Sequence, residues 1–408
     1  MMDKKEMELH KGLKRKYSLK MKRILSLAFF SCLLIFSLFS SVTIVHISDL
    51  HYISPSLYDY ERLKNLSYKG DGKATYIEDQ ILDAFIEEML LLSPDAVMIS
   101  GDLTYNGETE SHKDLRAKLE TLKNNGIKVF VIMGNHDTGR TSYALYEDRV
   151  VETPAMTAMA GEEHWLEYGY GEAIMQDPYS SSYLTEISDG LYLLALDSNN
   201  GSGGTVRQKT VTWMDSALKK AKADGAKVIS MTHQNLFVHN PRYTFGYQIN
   251  NASVVLKKLE AYGVALNLSG HLHNQHISTD SRMVEIAAES FSDWPLQYGI
   301  LEINDDFSYS YSTKEIDDES LKSEALRTFD LSTKSKVEGK LEGMEDETKE
   351  AMLDTALRLN REYFRGYVED REDPGLDLWL LRPELSLTSY FSFIASDNSD
   401  YRKYEGNL

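Results

Sequence analysis

The 408-residue sequence contains one cysteine, Cys32, so no internal disulfide can form and cysteine-rich zinc sites are excluded. Positive charge is also scarce. Lys plus Arg number 44 against 63 Asp plus Glu, a formal charge of −19. So acidic a surface repels a phosphate backbone, which argues against long nucleic acid as a partner. A small anionic substrate stays compatible if its site carries its own cations. A phosphate-cradling loop is missing too: Gly201-Ser202-Gly203-Gly204 lacks the Lys-Ser/Thr of a P-loop and reads as a flexible connection. No repeat of fixed period is visible. What is present, 42% hydrophobic and 26% charged residues, suits a globular chain of one large domain and a small one.

Charge is distributed unevenly. The first 23 residues hold nine Lys/Arg and three Asp/Glu, and Ile24 to Ser41 then run without a charge. A basic flank before an apolar run reads as an export signal or signal anchor over residues 1–41, with Met21 an alternative start. The chain is therefore expected outside the cytoplasm, touching membrane only through this segment. At the other end, residues 315–408 carry 23 Asp/Glu against 13 Lys/Arg. Polar-periodic stretches such as Met344–Tyr367 there predict a small acidic helical domain with no catalytic signature.

Between these ends, apolar runs and amphipathic stretches alternate. Strands are expected at Val42–Ile47, Ala96–Ser100 and Lys128–Met133, with helices at Thr75–Leu92 and Thr109–Asn125. A second series has strands near Ser182–Ile187, Leu191–Leu196, Lys227–Met231 and Val264–Leu268, with helices Val206–Ala223 and Asn251–Tyr262. Met283–Ala288, Gly299–Ile303 and Ser308–Thr313 follow as strands without intervening helices. This order predicts an α/β fold with mixed sheets over residues 42–314.

Five polar segments lie just beyond strand candidates, where α/β folds build sites. They are Asp49-Leu50-His51, Gly101-Asp102, Gly134-Asn135-His136-Asp137, His233, and Gly270-His271-Leu272-His273. The i, i+2 spacing of Asp49/His51 and of His271/His273 puts both side chains of each pair on one face of extended chain. Glycine before Asp102, Asn135 and His271 permits a sharp exit from the sheet. Each segment alone is more often structural. Together they supply carboxylates, imidazoles and an amide oxygen, enough for two metal ions with positions open to substrate.

These blocks, D-x-H, GD, GNH(D/E), H and GHxH in that order, resemble the calcineurin-like metallophosphoesterases. The resemblance spans residues 42–314 and implies a four-layer αββα sandwich with mixed sheets. Within the family, the Gly-Asp-Leu-Thr, Gly-Asn-His-Asp and Gly-His-Leu-His blocks are most similar to cyclic-nucleotide phosphodiesterases, and more loosely to secreted members with a C-terminal helical domain. By that resemblance Asp49, His51 and His273 hold one metal, and Asn135, His233 and His271 the other. Asp102 bridges them together with a hydroxide. His136 then acts as proton donor or phosphate-positioning group, with Asp137 orienting it. Four imidazoles with two carboxylates favour Mn, Fe, Zn or Co as the two divalent or trivalent ions. The implied substrate is a small phosphate ester, hydrolysed by the metal-bridged hydroxide. A phosphomonoesterase of nucleotidase type would use the same site, and a metal-binding scaffold without turnover is the alternative from another class.

Other residues carry weaker signals. Tyr105 completes a GDxxY reminiscent of purple acid phosphatases, but His51 is available as ligand and Tyr105 is expected as a wall residue. His239, six residues past His233, is a candidate substrate contact, and Asn235 a candidate phosphate or metal-shell contact. His46 and His276 are expected to be structural, and His112 to face solvent. Trp213 and Leu218 sit at core spacing. Phe291, Trp294 and Tyr298 either line a base pocket or pack a sheet edge.

Overall fold

A computed structural model describes residues 41–200, 203–280 and 282–408. Residues 1–40 of the expected export segment, with Gly201 and Ser202 of the glycine-rich connection, lie outside the described residues. Within them no helix is long and apolar enough to cross a membrane.

Short Val/Ile-rich runs form parallel strands β1 (Val42–Ile47), β2 (Ala96–Ile99) and β3 (Lys128–Val131). β2 is buried at all four positions, as expected for a parallel strand covered on both faces. A separate hairpin follows, β4 (Thr141–Leu145) with β5 (Val150–Pro154). Then come β6 (Met175–Gln176), β7 (Tyr183–Ser188), β8 (Leu191–Leu196), β9 (Lys227–Thr232) and β10 (Leu266–Ser269). β11 (His276–Thr279) and β12 (Val284–Ala287) complete a seven-stranded sheet ordered β11-β12-β10-β9-β8-β7-β6. β13 (Gln297–Ile303), β14 (Ser308–Glu315) and β15 (Lys403–Asn407) add antiparallel strands to the first sheet, ordered β15-β14-β13-β1-β2-β3.

Strand alternation ties the layers together. In β8, Leu191, Leu193 and Ala195 join the core that also contains Ile44, Val97 and Val131 of the first sheet. The intervening Tyr192, Leu194 and Leu196 pack instead with the helices Gln208–Ala223 and Ala252–Ala261. Helix Gln208–Ala223 buries Val211, Met214, Ala217, Leu218 and Ala221, one stripe at 3–4 residue spacing. Helices Glu78–Leu92 and Thr109–Asn124 place Ile81, Phe85, Leu115 and Leu119 in the first sheet's core. Two mixed sheets thus face one another between helices, the αββα arrangement. The turn Thr75–Ile77 preceding Glu78 is 3₁₀ rather than α, and Trp213 and Leu218 pack in the core.

Beyond Glu315 the helices Glu319–Val337, Asp346–Arg365, Pro374–Leu380 and Thr388–Ala395 bury their own cluster around Met352, Leu359, Trp379 and Phe391. The chain then returns as β15 to the edge of β14. Contacts that tie these helices to the preceding domain include the following three. Tyr76 OH meets Thr328 Oγ1 at 2.7 Å, Asn240 Nδ2 donates to Tyr363 OH at 2.7 Å, and Gln275 N donates to the Phe364 carbonyl at 3.0 Å.

His112 corrects the sequence expectation: it is fully buried, not solvent-facing. Its helix packs beneath the loop after β3. Nε2 donates to the Asp137 carbonyl at 2.8 Å, and Nδ1 accepts from Trp165 Nε1–H at 3.1 Å. The indole N–H can only donate, so Nδ1 must stay unprotonated. Burial accordingly lowers the pKa from 6.5 to about 4. Between those values the unfolded chain takes up a proton that the folded chain refuses, so stability falls as pH drops from 6.5 towards 4. One such group accounts for about 3 kcal/mol. Urea unfolding of wild type and His112→Gln across this range should give a visibly shallower pH slope for the variant; identical slopes would contradict the assignment.

Candidate active site

The C-terminal ends of five strands converge. Asp49 and His51 follow β1, Asp102 follows β2, and Asn135, His136 and Asp137 follow the strand run of β3. From the facing sheet, His233 follows β9, and His271 and His273 follow β10. Five of these residues adopt the left-handed backbone region: Asp49 (φ 52°), His51 (44°), Asp102 (47°), His271 (67°) and His273 (62°). Non-glycine residues pay about 1–3 kcal/mol each for such conformations. Loop-to-loop bonds hold them in place, Asp49 N to the Gly101 carbonyl and His51 N to the Asp102 carbonyl, each 3.0 Å. Glycine is required where strand exits crowd. A Cβ on Gly134 would overlap Asp102 Oδ1, and one on Gly270 would overlap Ser48 Oγ and Asp49 Oδ2.

The side chains form two groups sharing Asp102. Asp49, His51, Asp102 and His273 bring one potential ligand atom each within 4.8 Å of one another, and so do Asp102, His233 and His271. His273 Nε2 lies 3.2 Å from Asp49 Oδ1 and 3.2 Å from His51 Nε2. On the other side, His233 Nε2 lies 3.3 Å from Asp102 Oδ1, 3.0 Å from Asn135 Oδ1 and 3.2 Å from His271 Nδ1. All seven residues implied as ligands by the sequence motifs are therefore brought together.

The donor set fits metal ions on three counts. Asp49 Oδ1 is buried without a hydrogen-bond partner. His233 Nδ1 donates to the Ser100 carbonyl at 2.9 Å and His271 Nε2 to the Gly246 carbonyl at 2.7 Å. Those carbonyls only accept, so each ring turns its other nitrogen inward, as outer-sphere partners do around ligating histidines. Two imidazole nitrogens 3.2 Å apart then suit a shared cation, either a proton on His233 or a metal ion. Burial would raise both carboxyls, yet His273 at Asp49, and His233 and His51 at Asp102, hold them well below the usual carboxylate range. Burial would lower His233, but Asp102 raises it to about 9. His271, buried beside His233, falls to about 4.

His136 borders the site, its ring in edge contact with His51 at 4.9 Å between centroids. Its Nδ1 donates to the Tyr105 carbonyl at 2.8 Å, with Asn106 Oδ1 at 3.1 Å, leaving Nε2 free. Here the structure corrects the expectation for Asp137. Its carboxylate does not orient His136. It accepts instead from the backbone N–H groups of Leu103 (3.0 Å), Thr104 (2.8 Å) and Gly134 (2.7 Å), and from Thr104 Oγ1 (2.9 Å). Asp137 is a clasp between the loops after β2 and β3, fully buried, and burial raises its pKa to about 7. The orienting role falls to Tyr105 and Asn106. Asn106 was not singled out in the sequence because an exposed Asn before Gly looks like any turn.

The remaining candidates separate. His239 does not reach the cleft: it is buried, with Nδ1 2.9 Å from His276 Nδ1 and Nε2 3.0 Å from Glu285 Oε2. Asn235 Nδ2 donates to Ser269 Oγ and the Gly270 carbonyl, bracing the loop behind His271. His46 is buried against Ser100 Oγ at 2.9 Å. Phe291 and Tyr298 pack on Phe85 inside the core, and Trp294 lies against Phe329 of helix Glu319–Val337, so none of the three shapes a base pocket. The cleft over the site has a volume of about 520 Å³ and is bordered by His136, Tyr247, His271, His273, Lys336 and Tyr390.

The clasp makes a stability prediction. Asp137→Ala leaves three backbone donors buried and unpaired, each costing about 1–3 kcal/mol. Calorimetric unfolding should show Asp137→Ala strongly destabilised and His136→Ala near wild type. The reverse order would contradict the assignment.

Comparison with known proteins places this geometry. Residues 42–275 match the family model of the calcineurin-like phosphoesterases. A probable glycerophosphodiester phosphodiesterase of Arcobacter nitrofigilis is 23% identical over 237 residues, covering 54% of this chain and 74% of that protein. A probable cyclic nucleotide phosphodiesterase of Ruthia magnifica subsp. Calyptogena magnifica is 35% identical over 97 residues, 24% of this chain and 34% of that protein. Among solved structures, a dimetal phosphatase from Danio rerio is 13% identical, with a TM-score of 0.48 over 67% of this chain and 96% of that one. With the family model covering more than half of its length, the chain belongs to the calcineurin-like phosphoesterase family and is a metal-dependent phosphoric ester hydrolase.

Proposed function

We propose that the chain hydrolyses a small phosphodiester, of the cyclic-nucleotide type, at a two-metal centre. Asp49, His51 and His273 would hold one ion, Asn135, His233 and His271 the other, and Asp102 both. The observation that carries this reading is Asp102 itself, one carboxylate within ligand reach of both groups. Both curated relatives are named as phosphodiesterases, which favours a diester over the monoester alternative. Mn, Fe, Zn and Co all suit the mixed imidazole–carboxylate set.

When bound, the ions supply a water of pKa about 7 and a Lewis acid for phosphoryl oxygens. Two divalent charges against Asp49 and Asp102 leave about +2, so an anion is drawn into a chain of −19. The chain's own residues do the rest. The Tyr105 carbonyl and Asn106 keep a proton on His136 Nδ1, so Nε2 is the nitrogen that exchanges a proton with the leaving oxygen. Asp49 Oδ2 accepts from His271 N and Asp102 Oδ1 from His136 N, each at 2.8 Å, so both carboxylates are held rigidly. Export through residues 1–41 is part of the same proposal and rests on the basic-then-apolar pattern alone.

Protein reconstituted with Mn²⁺ should turn over bis-p-nitrophenyl phosphate faster than p-nitrophenyl phosphate. A strong preference for the monoester would overturn the diesterase reading. Asp102→Asn should lose turnover together with most bound metal, measured by elemental analysis. His136→Ala should keep its metal and lose turnover, most for esters with poor leaving groups. A metal-free His136→Ala protein would contradict that role.

A further inference from the structure

The cleft over the metal ligands does not end at them. A second cavity of about 450 Å³ adjoins it, and Asp71, Tyr243, Lys336, Phe364 and Tyr390 border both. The outer cavity is built largely by the C-terminal helices: Phe329, Thr333 and Lys336 from one, Asn360 and Phe364 from the next, and Tyr390 and Phe391 from the last. The loop after β9 closes the opposite side with Arg242 and Tyr243.

Two features define what this compartment would bind. Its walls are aromatic and continuous with the metal site. The Tyr247 ring lies 5.3 Å from His271 and 5.2 Å from Tyr243, so the aromatic wall runs from a ligand histidine to the shared boundary. Facing components are fixed by hydrogen bonds, Tyr390 OH to Asn360 Oδ1 at 3.0 Å and Asn240 Nδ2 to Tyr363 OH at 2.7 Å. Its charged residues are Lys336, Arg242 and Asp71, and the two cations are free of ion pairs. Among the described residues, neither Lys336 nor Arg242 has a carboxylate within 4.0 Å, whereas Asp71 is paired with Lys73 at 2.9 Å. In a chain of −19, two unpaired cations at one aromatic cavity mark a place for an anion joined to a flat group.

We propose that the C-terminal helices complete the substrate site, holding the part of the diester remote from the scissile phosphate: an aryl or nucleobase group carrying a further anionic group. This rests on the phosphodiesterase reading and narrows its cyclic-nucleotide type to dinucleotides, whose second phosphate is the further anion, over cyclic mononucleotides or glycerol esters. Lys336 and Arg242 bind the remote anion, and Tyr243 and Tyr390 contact the ring.

The test is equilibrium binding to the metal-free full chain, where no turnover interferes, by calorimetry with two linear dinucleotides. One is adenylyl-adenosine bearing a terminal 5′-phosphate, the other the same compound without it. The phosphorylated form should bind at least about tenfold tighter, the scale of one charge-assisted hydrogen bond. Most of that advantage should vanish in the double variant Lys336→Gln/Arg242→Gln. Both side chains are exposed and free of ion pairs, so the variant keeps its fold. Tyr243→Leu should weaken both dinucleotides by about threefold or more. Equal binding of the two compounds, or an advantage that survives the double variant, overturns the proposal. Hydrolysis of bis-p-nitrophenyl phosphate without any such discrimination sinks this inference alone, whereas discrimination without diester hydrolysis sinks the parent reading.

Discussion

Everything in this structure serves the burial of two carboxylates and four imidazoles around points they can share. Asp49 and Asp102 are almost wholly removed from water, and burial alone would neutralise both. They stay ionised because imidazoles from the opposite sheet stand 3.2–3.3 Å away. Such an arrangement has the donor atoms and spacing that could hold a cation between its members. The left-handed residues at the strand exits are the strain that this convergence requires.

The layered fold is the means of convergence. Parallel β1, β2 and β3 send three loops to one end of their sheet, and parallel β9 and β10 send two from the facing sheet to the same place. A single core cluster spanning both sheets keeps the ends in register. Asp137 then does for the loops what the core does for the strands, taking three backbone amides and a hydroxyl onto one carboxylate. A motif residue adjacent to His136 in sequence thus acts on its neighbours' backbone and leaves the imidazole to Tyr105 and Asn106.

The acidic C-terminal region has two faces. Its helices carry their own core around Trp379 and Phe391, yet Tyr363 bonds Asn240 and β15 pairs with β14. It roofs the cleft while closing the sheet. Acidic overall, it turns Lys336 towards the cleft that an anionic ester must enter.

The sequence by itself determined which polar residues gather at the site and the strands that carry them. Polar residues after apolar runs, with Gly101, Gly134 and Gly270 as the exits, are local features, and local features are legible in a linear string. β1 and β8 were readable to the residue because their apolar runs are uninterrupted. The tertiary structure alone decided the rest, because those outcomes depend on contacts across dozens to hundreds of residues. His112 looked like a surface residue on an amphipathic helix until Trp165 and the loop at Asp137 were packed over it. His239 looked close to His233 in sequence, yet Glu285 on β12 turns it into the interior. The roof over the site brings Lys336 and Tyr390 to loops dozens to hundreds of residues earlier, and no pattern within their own helices encodes that meeting.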